Sequence, residues 1–307
     1  MSLNSIGLWK LARSSAERLE RTARTAALCS ITLLAAPAAN ECQSPSDPPP
    51  TEASASTIGP YTYQTYTSGF RDSLAFGAAT IYYPTNAPTP FAGVAVSPGF
   101  LETQANTLNW GKFLASHGFV VLTFETNSTL DQPPTRSTAL LSAIDTLKSE
   151  NTRAGSPLNG KMSADRYAIM GHSMGGGGTL IAARTTRSDI RAAIPYAPWS
   201  SGTNYSDVRK PTLVIAAGND TIAPANQHAF PIYQSINANT AGSKAYIEFT
   251  SGDHGVANDP LWDAANQKIV ARYGLSWLKL YVLDDTRYQQ FIQPNGAFNG
   301  SRYQYVP

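Results

Sequence analysis

The sequence predicts an α/β domain with a mostly parallel central sheet and helices on both of its faces. Two observations carry this prediction. Short, continuous apolar segments alternate with longer segments of helical spacing, and clusters of Gly, Pro, Asn and Asp separate them. Strands that are buried on both faces appear as continuous apolar runs. Parallel strands also need a helical crossover between them, which matches the alternation.

The predicted elements follow one another along the whole body of the chain. The strands are predicted at residues 78–83, 91–96, 119–124, 167–170, 192–196, 213–217 and 245–249. The helices are predicted at residues 108–115, 138–148, 179–184 and 267–280. Pro84 ends the first strand, whereas Pro195 weakens the fifth because proline cannot donate a ladder hydrogen bond. Functional side chains in such sheets lie at the carboxyl ends of the strands.

The N-terminus has the pattern of a secretory signal peptide, predicted at residues 1–39. Five basic residues precede an apolar run over residues 26–36, and the small residues Ala38 and Ala39 follow a proline. The run is too short to span a membrane as a helix. An amphipathic N-terminal helix is the alternative, since Glu17 and Glu20 interrupt the basic region. A signal peptide predicts an extracellular or periplasmic protein.

Residues 40–59 are rich in Pro, Ser and Thr and are predicted to form a linker, with the catalytic domain at residues 60–307. The two cysteines are Cys29 and Cys42. Removal of the signal peptide leaves Cys42 alone, so no internal disulfide is expected. The 307-residue chain has a formal net charge of +2, concentrated before residue 40. The rest of the chain is nearly neutral, and such a charge does not indicate nucleic-acid binding.

Ser173 is the predicted nucleophile. The segment Gly171-His172-Ser173-Met174-Gly175 directly follows a predicted strand and opens a helix. This is the G-x-S-x-G elbow of α/β-hydrolase folds, in which the serine sits on a strained strand-to-helix turn. A Cβ two residues to either side would clash, so both positions are glycine. A glycine-rich turn without catalytic function is the alternative.

The predicted base is His254 and the predicted acid is Asp220. In this fold the triad follows the chain order serine, acid, histidine. Among four histidines, His254 alone lies both late in the chain and on a loop just after a strand. His117 and His228 are interpreted as solvated or capping residues, and His172 as unable to reach its neighbour's hydroxyl. Asp220 follows the strand 213–217, and its rivals Asp253 and Asp259 are interpreted as surface residues.

The oxyanion hole requires two backbone N–H groups that point at the developing charge. The residue after the nucleophile, Met174, supplies one of them. The second comes from the loop after an earlier strand, where Phe100 is the natural candidate.

At these motifs the chain resembles the bacterial cutinase and polyester-hydrolase family, which includes the PET hydrolases. The resemblance covers residues 60–293 and rests on the elbow with its glycine run and on residues 79–84, 97–100, 197–199, 211–215, 219–224 and 285–288. It implies a core without a large lid and a shallow groove that admits polymer chains. It also implies that Phe100 and Met174 line the acyl site, that Trp199 stacks on the substrate and that Ile222 lies opposite it.

The chain departs from this family at several positions. It lacks the family's C-terminal disulfide and the additional disulfide of the PET hydrolases. Position 172 is a histidine, as in cutinases, and Gly255 stands where relatives carry a larger or hydroxylated residue. A glycine there widens the groove and removes one contact with the substrate.

The predicted function is therefore carboxylic-ester hydrolysis through an acyl-enzyme on Ser173, with polyesters among the substrates. The enzyme is expected to act as a monomer without a cofactor or bound metal, since no nucleotide motif or metal-ligand spacing occurs. A triacylglycerol lipase or an acyltransferase with the same triad is the enzymatic alternative. A non-catalytic protein that binds an apolar ligand is the alternative from another class.

Overall fold

The computed structural model describes residues 48–70, 73–261, 265–293 and 302–307. The predicted signal peptide and both cysteines lie outside these residues. All described residues belong to a unit that covers residues 40–307.

The described residues form a nine-stranded sheet in the order β1-β2-β4-β3-β5-β6-β7-β8-β9. Neighbours from β4 to β8 are parallel, and β1, β2 and β9 add antiparallel pairs at the edges. The strands are β1 (Tyr63–Tyr66), β2 (Ala79–Pro84), β3 (Phe91–Ser97), β4 (Val120–Phe124), β5 (Met162–His172), β6 (Ile190–Tyr196), β7 (Thr212–Ala217), β8 (Lys244–Phe249) and β9 (Arg302–Val306).

Helices pack on both faces of the sheet. They are α1 (Glu52–Ala55), α2 (Leu108–Ser116), α3 (Pro133–Glu150), α4 (Met174–Ala182), α5 (Ala229–Ser235), α6 (Ala238–Ala241) and α7 (Ala265–Leu283), with 3₁₀ turns at Gln104–Asn106 and Thr286–Phe291. One apolar core holds Trp110 of α2 and Trp277 of α7, and the core on the opposite face holds Leu140 of α3 and Leu180 of α4. The mostly parallel α/β-hydrolase fold is confirmed.

All seven predicted strands are present, and the differences lie at their ends and at the edges of the sheet. The strand predicted from residue 167 starts at Met162, because Met162 pairs with Phe91 of β3 before an irregularity in the register. The edge strands β1 and β9 are not predicted, because exposed and partly exposed positions replace the apolar run in them. Pro195 lies inside β6, opposite Gly171.

The second half of the predicted linker folds onto the domain. Thr51 forms a capping box with Ser54 at the start of α1, and Ala55 is fully buried. Farther along, the Gly59 N–H donates to Ser116 Oγ at 2.9 Å, and the Tyr61 N–H donates to the Ser116 carbonyl at 3.1 Å. Helix formation therefore starts eight residues before the predicted domain boundary, at Glu52.

His117 holds this segment in place from the domain side. It ends α2, and its side chain is buried rather than solvated, with 4% of the residue exposed. Its Nε2 lies 2.9 Å from the Thr57 carbonyl, and its ring packs edge-on against Phe113. Burial, together with the nearby charge of Lys279, lowers the pKa of His117 to about 3. His117 is therefore neutral in the folded protein at neutral pH.

We expect the free energy of unfolding to fall by about 2 kcal/mol between pH 7 and pH 5 through His117 alone. The unfolded chain binds a proton at this histidine below about pH 6.5, whereas the folded chain does not until about pH 3. This contribution is therefore present above pH 6.5 and is lost as the pH falls toward 3. Denaturant titrations at several pH values should show a smaller pH slope for His117→Gln. An unchanged slope would contradict the assignment.

Candidate active site

The predicted nucleophile, Ser173, occupies a tight turn between β5 and α4. Its backbone angles are φ 50° and ψ −117°, in the left-handed half of the map that non-glycine residues rarely adopt. Its N–H donates to the Tyr196 carbonyl at 3.0 Å, and its own carbonyl accepts from the Trp199 N–H at 2.9 Å. Strain of this kind persists only where the surrounding structure fixes the backbone, and it is frequent at functional sites.

The glycines of the elbow are required by close backbone contacts. A Cβ at Gly171 would lie 2.4 Å from the Gly175 carbonyl oxygen, and a Cβ at Gly175 would lie 2.4 Å from the Pro98 carbonyl oxygen. The following glycines of α4 pack equally closely, since a Cβ at Gly177 would lie 2.3 Å from the Trp199 carbonyl oxygen. The glycine run thus lets α4 approach the neighbouring loops.

Asp220 and His254 meet at the carboxyl edge of the sheet. His254 Nδ1 lies 2.6 Å from Asp220 Oδ2. The other carboxylate oxygen accepts from the N–H groups of Ile222 at 2.8 Å and Ala223 at 2.7 Å. Burial raises the pKa of Asp220, but these hydrogen bonds outweigh it and the net pKa is lowered. Asp220 is therefore a fixed carboxylate that holds the His254 ring by its Nδ1–H.

The other candidate acid and base residues make contacts of their own. Asp253 is exposed and accepts from the Gly255 N–H at 3.0 Å. Asp259 accepts from the Asn109 side chain at 2.7 Å. His228 precedes α5, and burial lowers its pKa. In the part of the chain that the structure describes, none of these three side chains hydrogen-bonds His254.

The predicted oxyanion residues flank Ser173. Met174 is the first residue of α4, where an N–H has no partner within the helix. Phe100 lies on the loop after β3, next to Gly99, whose added Cβ would come within 3.0 Å of Ser173 Cβ. The geometry therefore brings the start of this loop against Ser173.

A buried arginine that no sequence motif predicts supports the same loop. Arg136 of α3 is fully buried. Its guanidinium donates to the carbonyls of Pro98 at 2.9 Å, Thr129 at 3.0 Å and Asp131 at 2.7 Å. The Thr129 carbonyl also accepts from the Leu101 N–H at 2.9 Å. Arg136 thereby fixes the backbone on both sides of Phe100.

Apolar side chains surround these groups and are open to solvent. Phe100 is 42% exposed and Ile222 is 65% exposed. Met174 and Trp199 are partly exposed, and the Trp199 ring lies 6.0 Å from the His228 ring. All four predicted pocket residues thus follow strands on the side of the sheet that carries Ser173 and Asp220, and each is partly or largely exposed.

Glu102 and His172 join the loops that carry Phe100 and His254, and the sequence does not predict this contact. Glu102 Oε1 lies 2.8 Å from His172 Nδ1, and His172 Nε2 lies 2.8 Å from the His254 carbonyl oxygen. The sequence excludes His172 as the catalytic base and indicates no other role for it. The position of Glu102, two residues after Phe100 in an otherwise uncharged loop, was the available signal.

The described residues contain no group of three or more His, Cys, Asp or Glu side chains that could hold a metal ion. Among the same residues, no helix is both long and apolar enough to cross a membrane.

Comparisons with known proteins agree with this architecture. The family model described as PETase, PET hydrolase-like, matches residues 37–304. Cutinase cut1 of Thermobifida fusca is 42% identical over 283 residues, which cover 92% of this chain and 84% of the relative. Cutinase 2 of Thermobifida cellulosilytica is 47% identical over 219 residues, which cover 71% and 79%. Bis(hydroxyethyl) terephthalate hydrolase of Streptomyces coelicolor is 40% identical over 277 residues, which cover 89% and 85%. The chain belongs to the PET hydrolase-like family and is a carboxylic-ester hydrolase.

Proposed function

We propose that the protein is a secreted serine hydrolase that cleaves polyesters, including aromatic polyesters of terephthalate, through an acyl-enzyme on Ser173. The observation that carries the mechanism is the 2.6 Å contact between His254 and Asp220 beside the strained elbow of Ser173. The substrate class is supported by relatives named as cutinases and as a bis(hydroxyethyl) terephthalate hydrolase.

In the proposed acylation, Ser173 Oγ attacks the ester carbonyl carbon while His254 Nε2 takes the hydroxyl proton. The N–H groups of Phe100 and Met174 stabilise the negative charge on the carbonyl oxygen. The tetrahedral intermediate then expels the alcohol, which receives the proton from His254. Asp220 keeps the second proton of the imidazole on Nδ1 and stabilises the imidazolium that forms.

Deacylation repeats these steps with water as the nucleophile. His254 removes a proton from the water, and the hydroxide oxygen bonds to the acyl carbon. Collapse of the second intermediate returns the proton to Ser173 Oγ and releases the carboxylic acid. A transferase would use the same acyl-enzyme but would need an alcohol in place of water.

The polyester assignment rests on the exposed apolar surface beside the nucleophile. Phe100 and Ile222 keep much of their surface in water, and an apolar polymer segment that covers them gains roughly 25 cal/mol per Å² of apolar area buried. A polymer chain can lie across such a surface without threading into a closed cavity. We further propose secretion by way of the N-terminal signal, and action as a monomer.

The test is hydrolysis of 4-nitrophenyl butyrate, bis(hydroxyethyl) terephthalate, a polyester film and an emulsified long-chain triacylglycerol, each with Ser173→Ala as control. Release of soluble terephthalate products from the film, absent in the variant, supports the proposal. Preference for the triacylglycerol would favour the lipase alternative. Ester products formed with an added alcohol, at the expense of free acid, would favour the acyltransferase.

We expect Gly255→Phe to lower KM for bis(hydroxyethyl) terephthalate about two- to tenfold, because an aromatic ring at the rim adds apolar contact area. The backbone admits a side chain, since a Cβ there meets only Asp253 Oδ1, at 3.5 Å. Gly255→Ala is the matched control for the backbone change. Saturation kinetics would contradict the expectation if both variants gave the same KM.

A further inference from the structure

We infer that Glu102 and His172 form a buried carboxylate–imidazolium pair that positions the loops of the catalytic histidine and the oxyanion hole relative to each other. The inference rests on the proposed function, because it assigns these two residues to the catalysis by Ser173 and His254. Both are positioning residues, since they act through backbone groups of the catalytic loops.

The hydrogen bonds of Glu102 are those of an ionised carboxylate. Oε2 accepts from the Gly99 N–H at 2.5 Å, and Oε1 accepts from Asn258 Nδ2 at 3.1 Å in addition to its contact with His172. Burial raises the pKa of Glu102, but the interactions with His172, Gly99 and Asn258 outweigh it and the net pKa is lowered. An ionised carboxylate can accept hydrogen bonds from all three donors, whereas a protonated acid would carry an O–H group of its own.

The contacts of His172 require two N–H groups. The residue is 2% exposed, and each ring nitrogen lies 2.8 Å from an acceptor, Glu102 Oε1 for Nδ1 and the His254 carbonyl oxygen for Nε2. A neutral imidazole carries one N–H, whereas an imidazolium carries two. Asn258 Nδ2 also approaches Nδ1, at 3.3 Å, but it lies closer to Glu102 Oε1. Two acceptors at these distances therefore assign the imidazolium.

The groups around His172 are compatible with this charge. Its ring stacks on Tyr196, with 5.5 Å between ring centroids, and lies 4.7 Å from the His254 ring. Asp220 contacts the His254 ring at Nδ1. The carboxylate of Glu102 balances the imidazolium, so that protonation of His254 during the reaction meets little repulsion.

The pair controls two parts of the proposed machinery at once. His172 holds the carbonyl of His254 itself, which fixes the backbone that carries the catalytic ring. Glu102 holds the N–H of Gly99, which precedes the proposed oxyanion donor Phe100. Small errors in the position of catalytic groups lower rates strongly, so the pair should affect kcat far more than substrate binding.

The test compares Glu102→Gln with Glu125→Gln, which removes a carboxylate from the residue after β4, whose backbone hydrogen-bonds to Ala78 and Gly77. With 4-nitrophenyl butyrate, kcat of Glu102→Gln should fall about 10- to 100-fold while KM stays within about threefold. Glu125→Gln should keep both constants. A kcat of Glu102→Gln within twofold of the wild type would overturn the inference.

A spectroscopic measurement on the unmodified protein avoids any failure of the variant to fold. With ¹⁵N-labelled histidine, the His172 ring, assigned through His172→Gln, should show two protonated nitrogens, one for each acceptor. A single protonated nitrogen on this ring in the wild type would overturn the inference. The kinetics separate the two proposals, because an active Ser173→Ala removes the proposed function, whereas an inactive Ser173→Ala with a fully active Glu102→Gln removes only the inference.

Discussion

Ser173→Ala is expected to lower kcat for a soluble ester about 10⁵- to 10⁶-fold, because the acyl-enzyme can no longer form. The loss should fall on kcat rather than on KM, since the apolar surface at Phe100 and Ile222 stays in place. The remaining rate is expected to exceed that of the uncatalysed reaction, because the oxyanion donors and the binding surface persist.

Steady-state kinetics on the purified variant measure this effect, with thermal unfolding as the control for the fold. The substitution removes one hydroxyl group, and the backbone of residue 173 keeps its hydrogen bonds to Tyr196 and Trp199. The unfolding midpoint should therefore change little. A folded variant that retained more than about one hundredth of the wild-type kcat would exclude Ser173 as the nucleophile.

Asp220→Asn is expected to lower kcat about 10⁴-fold by reversing the tautomer of His254. The carboxylate now accepts the Nδ1–H of His254 through Oδ2, while Oδ1 accepts the N–H groups of Ile222 and Ala223. An asparagine keeps its oxygen on those two amides and turns its NH₂ group toward Nδ1. The imidazole proton then moves to Nε2, where it blocks removal of the proton of Ser173.

The matched control is Asp253→Asn, on the same loop as His254. Asp253 is exposed and binds the Gly255 N–H, so this variant should keep kcat within about twofold, as is usual for surface substitutions. Kinetics at a single pH above neutrality compare both variants. Equal losses in the two would contradict the role of Asp220.

The sequence predicted the central architecture well, because buried parallel strands have an unmistakable apolar pattern. It missed β1 and β9, since edge strands alternate between exposed and partly exposed residues. The proposed triad was predicted from chain order and from the position of each member just after a strand, both of which the sequence shows directly. Asp220 and His254 are 34 residues apart, yet each follows a strand whose end could be recognised.

The contacts of Glu102, His172 and Arg136 could not be predicted from chain order or from positions after strands. Glu102 and His172 are 70 residues apart, and Arg136 and Pro98 are 38 residues apart. Their contacts depend on how the loops pack in three dimensions, and no short motif encodes them. His117 shows the same limit, since its burial depends on a segment nearly 60 residues earlier that was predicted to be a linker.

The central claim, an acyl-enzyme on Ser173, is tested most directly by labelling the protein with a fluorophosphonate ester and locating the adduct by peptide mass spectrometry. The probe phosphonylates a serine only where that serine is activated as a nucleophile. The account predicts one stoichiometric adduct on the peptide that contains Ser173, with loss of esterase activity in proportion to labelling and no adduct in Ser173→Ala. An active protein that resists labelling, or an adduct on another residue that tracks the loss of activity, would contradict it.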